Sequence, residues 1–164
     1  MSIEDHPKID ASGNLKINEK HLMVFLHADG LLNERSLDLK IFVTKSYEIE
    51  VYLSALKKGN KYGDFTYEYT TKEIPAEIIT FLDELSQLES PDFGYVYLDD
   101  LIIEHAQRQE ILFNHYEKTL GFYVSSGKTI EEKNFKTDFG KRFYHFYEFL
   151  NNWKEELYED FNKS

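Results

Sequence analysis

A chain of 164 residues has the size of one domain and is long enough to bury a core without disulfides or a structural metal. Hydrophobic residues at 41% and aromatics at 16%, including 13 Phe and 12 Tyr, exclude a disordered chain despite a net charge of -11. The absence of cysteine excludes a disulfide framework, a cysteine zinc site and a thiol nucleophile, and fits a reducing cytoplasm.

The start, Met1 to Lys8, is polar and partly acidic and lacks the basic region and apolar run of a secretory signal. No apolar run approaches the roughly 20 residues that span a bilayer, so no membrane segment is expected. Residues 1–20 read as a loosely held lead-in to a single domain covering 1–164. Within it Asp10-Ala11-Ser12-Gly13-Asn14 is a turn cluster between Lys8-Ile9 and Leu15-Lys16-Ile17, either a small hairpin or a frayed tail.

His21 to His27 is a short apolar run closed by Asp29-Gly30, the pattern of a buried strand. Leu37, Leu39, Ile41 and Val43 then alternate with polar or outward residues, and Tyr47, Ile49, Val51 and Leu53 repeat the period of two. After the turn-rich Lys57 to Gly63, Phe65, Tyr67 and Tyr69 alternate again, which predicts an antiparallel hairpin with the preceding run.

Pro75 suits a helix start, and Ile74, Ile78, Phe81 or Leu82, Leu85 and Leu88 form one stripe, so a helix is predicted over 75–88. Ser90-Pro91 ends it. Gly94 to Ile103 reads as a strand. Residues 100–120 contain neither Gly nor Pro and carry Asp100, Glu104 and Arg108 at spacings of four, which favours a helix over a strand through Ile111-Leu112-Phe113. Phe122-Tyr123-Val124 is a short strand candidate. Phe139, Phe143, Phe146, Leu150, Trp153, Leu157 and Phe161 fall on one stripe of a long C-terminal helix capped by Thr137 or Asp138. The expected architecture is α+β: an antiparallel sheet of about four to six strands packed against this aromatic helix and one or two further helices.

The charge is unevenly distributed. Residues 1–72 hold eleven acids and ten bases, and 118–164 hold eight of each. Residues 73–117 hold eleven acids against Arg108 alone, so this segment supplies -10 of the -11. Solvated helices carry acids for solubility without any partner. A continuous negative face would in addition steer a basic protein toward it and repel nucleic acid. The candidate partner-binding residues are Glu77, Asp83, Glu84, Asp99, Asp100, Glu104 and Glu110. Tyr52, Tyr62, Tyr67, Tyr69, Tyr95 and Tyr97 lie close to acids and have interface chemistry, a rigid ring with a polar tip.

Catalytic motifs are lacking. The six histidines include no pair three or four apart, so no helical two-histidine metal site is expected, and no cofactor is implied. No nucleotide-binding glycine loop or serine elbow is present. Asp29 followed by Asp38-Leu39-Lys40 has the acid and (D/E)-x-K spacing with which metal-dependent nucleases hold Mg²⁺, and Asp99, Asp100 and Glu104 form a second acidic group. The first spacing is common by chance, and a nuclease needs a basic groove that this charge distribution does not offer.

The reading that follows is a non-enzymatic, cytoplasmic protein with an acidic, tyrosine-bearing surface for a basic protein partner. Its charge and size are similar to those of small bacterial proteins that neutralise a basic toxin or nuclease, and of phage-encoded inhibitors that imitate nucleic acid. A small metal-dependent hydrolase is the alternative. A third reading is a scaffold or oligomer subunit that self-associates through the aromatic C-terminal helix. The first reading requires that the carboxylates of 73–117 share one face in space.

Overall fold

The structure, a computed structural model, describes residues 8–9, 11, 15–29, 37–55, 67–89, 95–98, 107–116, 118–125 and 131–163. The lead-in forms a small hairpin of β1 (Lys8–Ile9) and β2 (Leu15–Lys16). The alternating runs become β3 (His21–Ala28), β4 (Leu37–Thr44), β5 (Ile49–Ala55) and β6 (Tyr67–Thr71). Then come α1 (Ala76–Gln87), β7 (Tyr95–Leu98), β8 (Arg108–His115), β9 (Lys118–Ser125) and α2 (Asp138–Lys163).

The main sheet has the order β6-β5-β4-β3-β8-β9-β7. Its first six strands are antiparallel throughout, and β7 joins the edge parallel to β9. With both helices packed on one face, the α+β expectation holds. The expected helix at 100–120 is overturned: residues 108–115 and 118–125 are the two strands of a hairpin. Ile111, Leu112 and Phe113 are fully buried because β8 lies beside the central strand β3, where both faces are covered and an uninterrupted apolar run is what a strand requires.

Side-chain alternation separates two cores. Met23, Phe25, Leu39, Ile41, Val51, Leu53, Ile111, Phe113, Leu120 and Phe122 point toward the helices and meet Ile78, Leu82 and Leu85 of α1 and Phe139, Phe143, Phe146 and Leu150 of α2. The far face carries a smaller cluster, Ile17, Val24, Phe42 and Leu112, with Leu26 and Tyr52 half-buried beside it. A register shift at the start of β3 lets Leu22 enter the main core while the His21 ring sits 5.2 Å from Phe42 on the far face.

α1 begins at Pro75, whose extended backbone and absent N–H suit the cap position. α2 is capped by Thr137, whose Oγ1 accepts from the Gly140 N–H at 3.0 Å. Phe81 stacks on Phe146 at 5.1 Å and lies 5.6 Å from Phe149, while Glu84, one turn on, pairs with Arg142, one turn back, so the helices run antiparallel. The predicted stripe is buried as far as Trp153; beyond it Lys154 and Tyr158 are buried and Leu157 is half-exposed, so the covered side of the helix turns away from the stripe in its last turns. Inside β9, Gly121 faces Leu112, and a Cβ there would stand 2.2 Å from the Ile111 carbonyl oxygen. No described helix is long and apolar enough to cross a membrane.

Candidate functional site

Glu77, Asp83 and Glu84 are exposed on α1, away from its buried stripe Ile78, Leu82 and Leu85. Glu110 does not join them. It is half-buried on β8 between Leu26 and Tyr123, whereas its neighbours Gln109 and Ile111 face the helices, so the sheet itself separates it from α1. Asp99, Asp100 and Glu104 lie outside the described residues. Of the tyrosines read as interface candidates, Tyr52 is half-buried on the far face and donates to Glu50 at 2.6 Å. The side chains of the other five fall outside those described.

A second set of acids extends the helical surface. Glu148, Glu155, Glu156, Glu159 and Asp160 are all exposed on α2. In sequence they are hidden by an even balance over 118–164, but six of the eight bases of that segment precede Glu148, and Lys154, at 2% exposure, is buried with its Nζ 3.2 Å from Glu155. With Asp138 and the three acids of α1, the described surface of the two helices carries nine exposed carboxylates against Lys141 and Arg142, a balance of -7 that becomes -6 when Lys154, paired with Glu155 from beneath, is counted. Arg142 is already engaged: it pairs with Glu84, and its guanidinium lies 4.2 Å over the Phe81 ring.

At one end of the sheet, two hairpin turns each hold a tyrosine in the left-handed backbone region, Tyr47 at φ 62 and Tyr116 at φ 56. Tyr47 closes the β4–β5 turn, where its N–H bonds to the Thr44 carbonyl at 2.9 Å in a position that glycine fills without strain. Tyr116 opens the two-residue β8–β9 turn, where Asn or Gly is the usual choice. A non-glycine residue in this region costs about 1 to 2 kcal/mol. Both side chains are exposed, 38% and 78%, and both line one pocket of about 270 Å³ floored by Leu22 and Phe113. The Tyr47 hydroxyl donates to Asp83, which ties this end of the sheet to the acidic helix and raises the phenol above its usual range. Neither tyrosine carried a signal in the sequence: Tyr47 fits the alternation of β5, and Tyr116 sits in a stretch without Gly or Pro.

Between the sheet and α2 runs a buried polar chain. Gln109 donates to His27 Nδ1 at 3.0 Å and to Asn151 Oδ1 at 2.8 Å, and its own oxygen accepts from the Tyr147 hydroxyl. With Nδ1 accepting, the His27 ring proton is on Nε2 and is donated to Asp29 Oδ1 at 2.7 Å. Lys154 completes the chain at Asn151 Oδ1, 2.7 Å away. Burial drives the Tyr147 phenol up to about 12, so it acts as a proton donor throughout the physiological range. The carboxylate–imidazole pair has the look of a catalytic dyad, but the side chains of His27 and Asp29 are 0% and 1% exposed and both ring nitrogens are engaged. Such a ring has no nitrogen left for a substrate proton, and the chain ties α2 to the sheet.

Asp29 follows His27 on the helix side, opposite Leu37, whereas Asp38 pairs with Ala28 on the far side. The acid and (D/E)-x-K residues are therefore split by the sheet. Among the described residues no three His, Asp or Glu side chains are grouped to hold a metal ion. Comparison with protein-family models, with curated proteins and with solved structures finds no significant match.

Proposed function

We propose that the protein is a non-enzymatic, cytoplasmic binding protein that presents the outer surface of its two helices to a basic protein partner, in the manner of a toxin-neutralising or inhibitor protein. The observation that carries this reading is the predominantly negative helical layer, nine exposed carboxylates against Lys141 and Arg142 at the surface and Lys154 beneath it, with Arg142 paired to Glu84 and Lys154 to Glu155. A field of this kind raises the encounter rate with a cationic partner by about 10- to 1,000-fold at low ionic strength. Like charges crowded on one layer also repel one another, and that repulsion is relieved when a basic surface covers them. Tyr47, joined to the layer through Asp83, and Tyr116, which lines the same pocket, supply rigid aromatic contact area of the kind that dominates interfaces.

The test is the retention of a basic partner protein on the immobilised chain at low and high salt. It compares wild type with a variant in which Glu77, Asp83, Glu84, Glu148, Glu155 and Glu156 are replaced by their amides. Wild type should retain the partner at low salt and release it at high salt, and the variant should bind at least about tenfold more weakly. Equal binding by both proteins without salt dependence rejects the acidic surface as the interface.

A further inference from the structure

The face of the sheet turned away from the helices has a different order of charge. Two adjacent rows run across its central strands. In the first, Asp38 on β4, Ala28 on β3 and Arg108 on β8 stand side by side; in the second, Lys40, Leu26 and Glu110 do. The second row continues to Tyr52 on β5 and Tyr123 on β9. Four charges of alternating sign thus occupy the corners of a rectangle about 10 Å across the strands and about 7 Å along them, floored by Ala28 and Leu26. A depression of about 200 Å³ lies among them. Asp38 and Arg108 are exposed, while Lys40, Glu110, Leu26 and Ala28 are half-buried.

β3 is the fourth of seven strands, and this pattern is complementary to itself about an axis along it. A half-turn about that axis, with a second copy laid face to face, brings each β4 residue over the β8 residue of the same row. Asp38 then meets Arg108, Lys40 meets Glu110, and both contacts are repeated by symmetry. Leu26 meets Leu26 on the axis, and Tyr52 meets Tyr123. We infer that this face pairs with a second copy of the chain, in a two-fold arrangement about β3.

Sheets packed face to face are rotated by about 30° through their twist, which tilts the axis about 15° from β3 and displaces a group about 5 Å from the centre by about 2.5 Å, within the reach of Lys and Arg side chains. Any offset that exchanged the two rows would place like charges together, so the register is selected as well as the partner. Pairing through this face leaves both helical layers outermost, with the largest like-charged surfaces farthest apart. The inference does not depend on the acidic-partner reading, since it uses the opposite face. These two rows cover about 300 Å² per copy, below a standard interface, so the pair is weak and concentration-dependent.

Three proteins test it in solution by sedimentation equilibrium. Wild type should show a weight-average mass that rises with concentration. Asp38→Lys with Lys40→Glu reverses β4, and Arg108→Glu with Glu110→Lys reverses β8. Each reversed protein should remain monomeric alone, because like charges then face one another, and an equimolar mixture should associate at least as well as wild type. As a readout that leaves the charges in place, Leu26→Cys in this cysteine-free chain should be joined into covalent dimers by a short bis-maleimide. Asn152→Cys, exposed on α2, should be joined at least tenfold less. A wild-type mass that stays monomeric into the millimolar range, reversed proteins that self-associate as wild type does, or equal crosslinking at positions 26 and 152 would each overturn the inference.

Discussion

The two faces of the sheet solve different problems with the same strands. Toward the helices lie the large aromatic core and the His27–Gln109–Asn151 chain, and beyond them a surface of carboxylates with little to offset them. Away from the helices the core is small, Ile17, Val24, Phe42 and Leu112, and among the described side chains the charges on the strands are close to balanced: Asp38, Glu50 and Glu110 against Lys40 and Arg108. Depth of burial and one-signed charge therefore occur together on one side. A deep core tolerates the self-repulsion of a charged exterior because the apolar burial beneath it is the larger effect by far.

The largest expected effect comes from truncating a ring on each side. Phe143 is fully buried among Phe113, Phe122 and Phe139, and Phe143→Ala should lower unfolding stability by about 4 to 5 kcal/mol in a denaturant titration. Phe42→Ala, in the smaller cluster, should cost about 3 kcal/mol, the lower end of the range for such changes, because a shallower site relaxes into the space. Equal losses would erase the contrast in depth.

A smaller effect reports on the polar chain of the helix side. The folded protein holds the Tyr147 proton more tightly than the unfolded chain does, with its phenol pushed up to about 12 against an ordinary 10. Stability from this group is therefore complete below pH 10 and is lost as pH rises from 10 through about 12, by about 2 to 3 kcal/mol. Tyr147→Phe should flatten this alkaline slope in stability measured against pH. A slope unchanged by the substitution would mean that the hydroxyl is not enclosed with Gln109.

The smallest effect concerns the turns. Tyr116→Gly relieves a left-handed tyrosine and loosens the unfolded chain, and the balance should be a gain of about 0.5 to 1 kcal/mol, read as a higher melting temperature. The same substitution at Tyr47 also removes the hydrogen bond to Asp83 and should gain less. If glycine at 116 destabilises instead, the tyrosine ring is contributing packing that outweighs its backbone strain.

Most of the secondary structure was legible because it rests on local periodicity. The alternation of Leu37 to Val43 and of Ile49 to Leu53 specifies strands with one buried face, and the stripe from Phe139 to Trp153 specifies a helix, whatever each element packs against. The β8–β9 hairpin was not legible. Its turn at Tyr116 uses a residue that ordinarily avoids that backbone conformation, so the sequence there carries no turn signal, and an unbroken run of helix-compatible residues hid β8 and the start of β9, of which only Phe122-Tyr123-Val124 read as a strand. The acids of α1 were found as candidates, but those of α2 were masked by nearby bases in the count.

The sequence by itself determined the class of fold, the helix that covers the sheet and the excess of negative charge, since these follow from composition and from side chains that repeat with the period of one element. Tertiary structure alone decided which charges face together. It placed Glu110 behind the sheet from Glu77, buried Lys154 and left its acidic neighbours outside, and joined His27 to Gln109 across 82 positions of chain. Strand order and helix direction set those relations, and they depend on how distant segments pack rather than on any pattern within one of them.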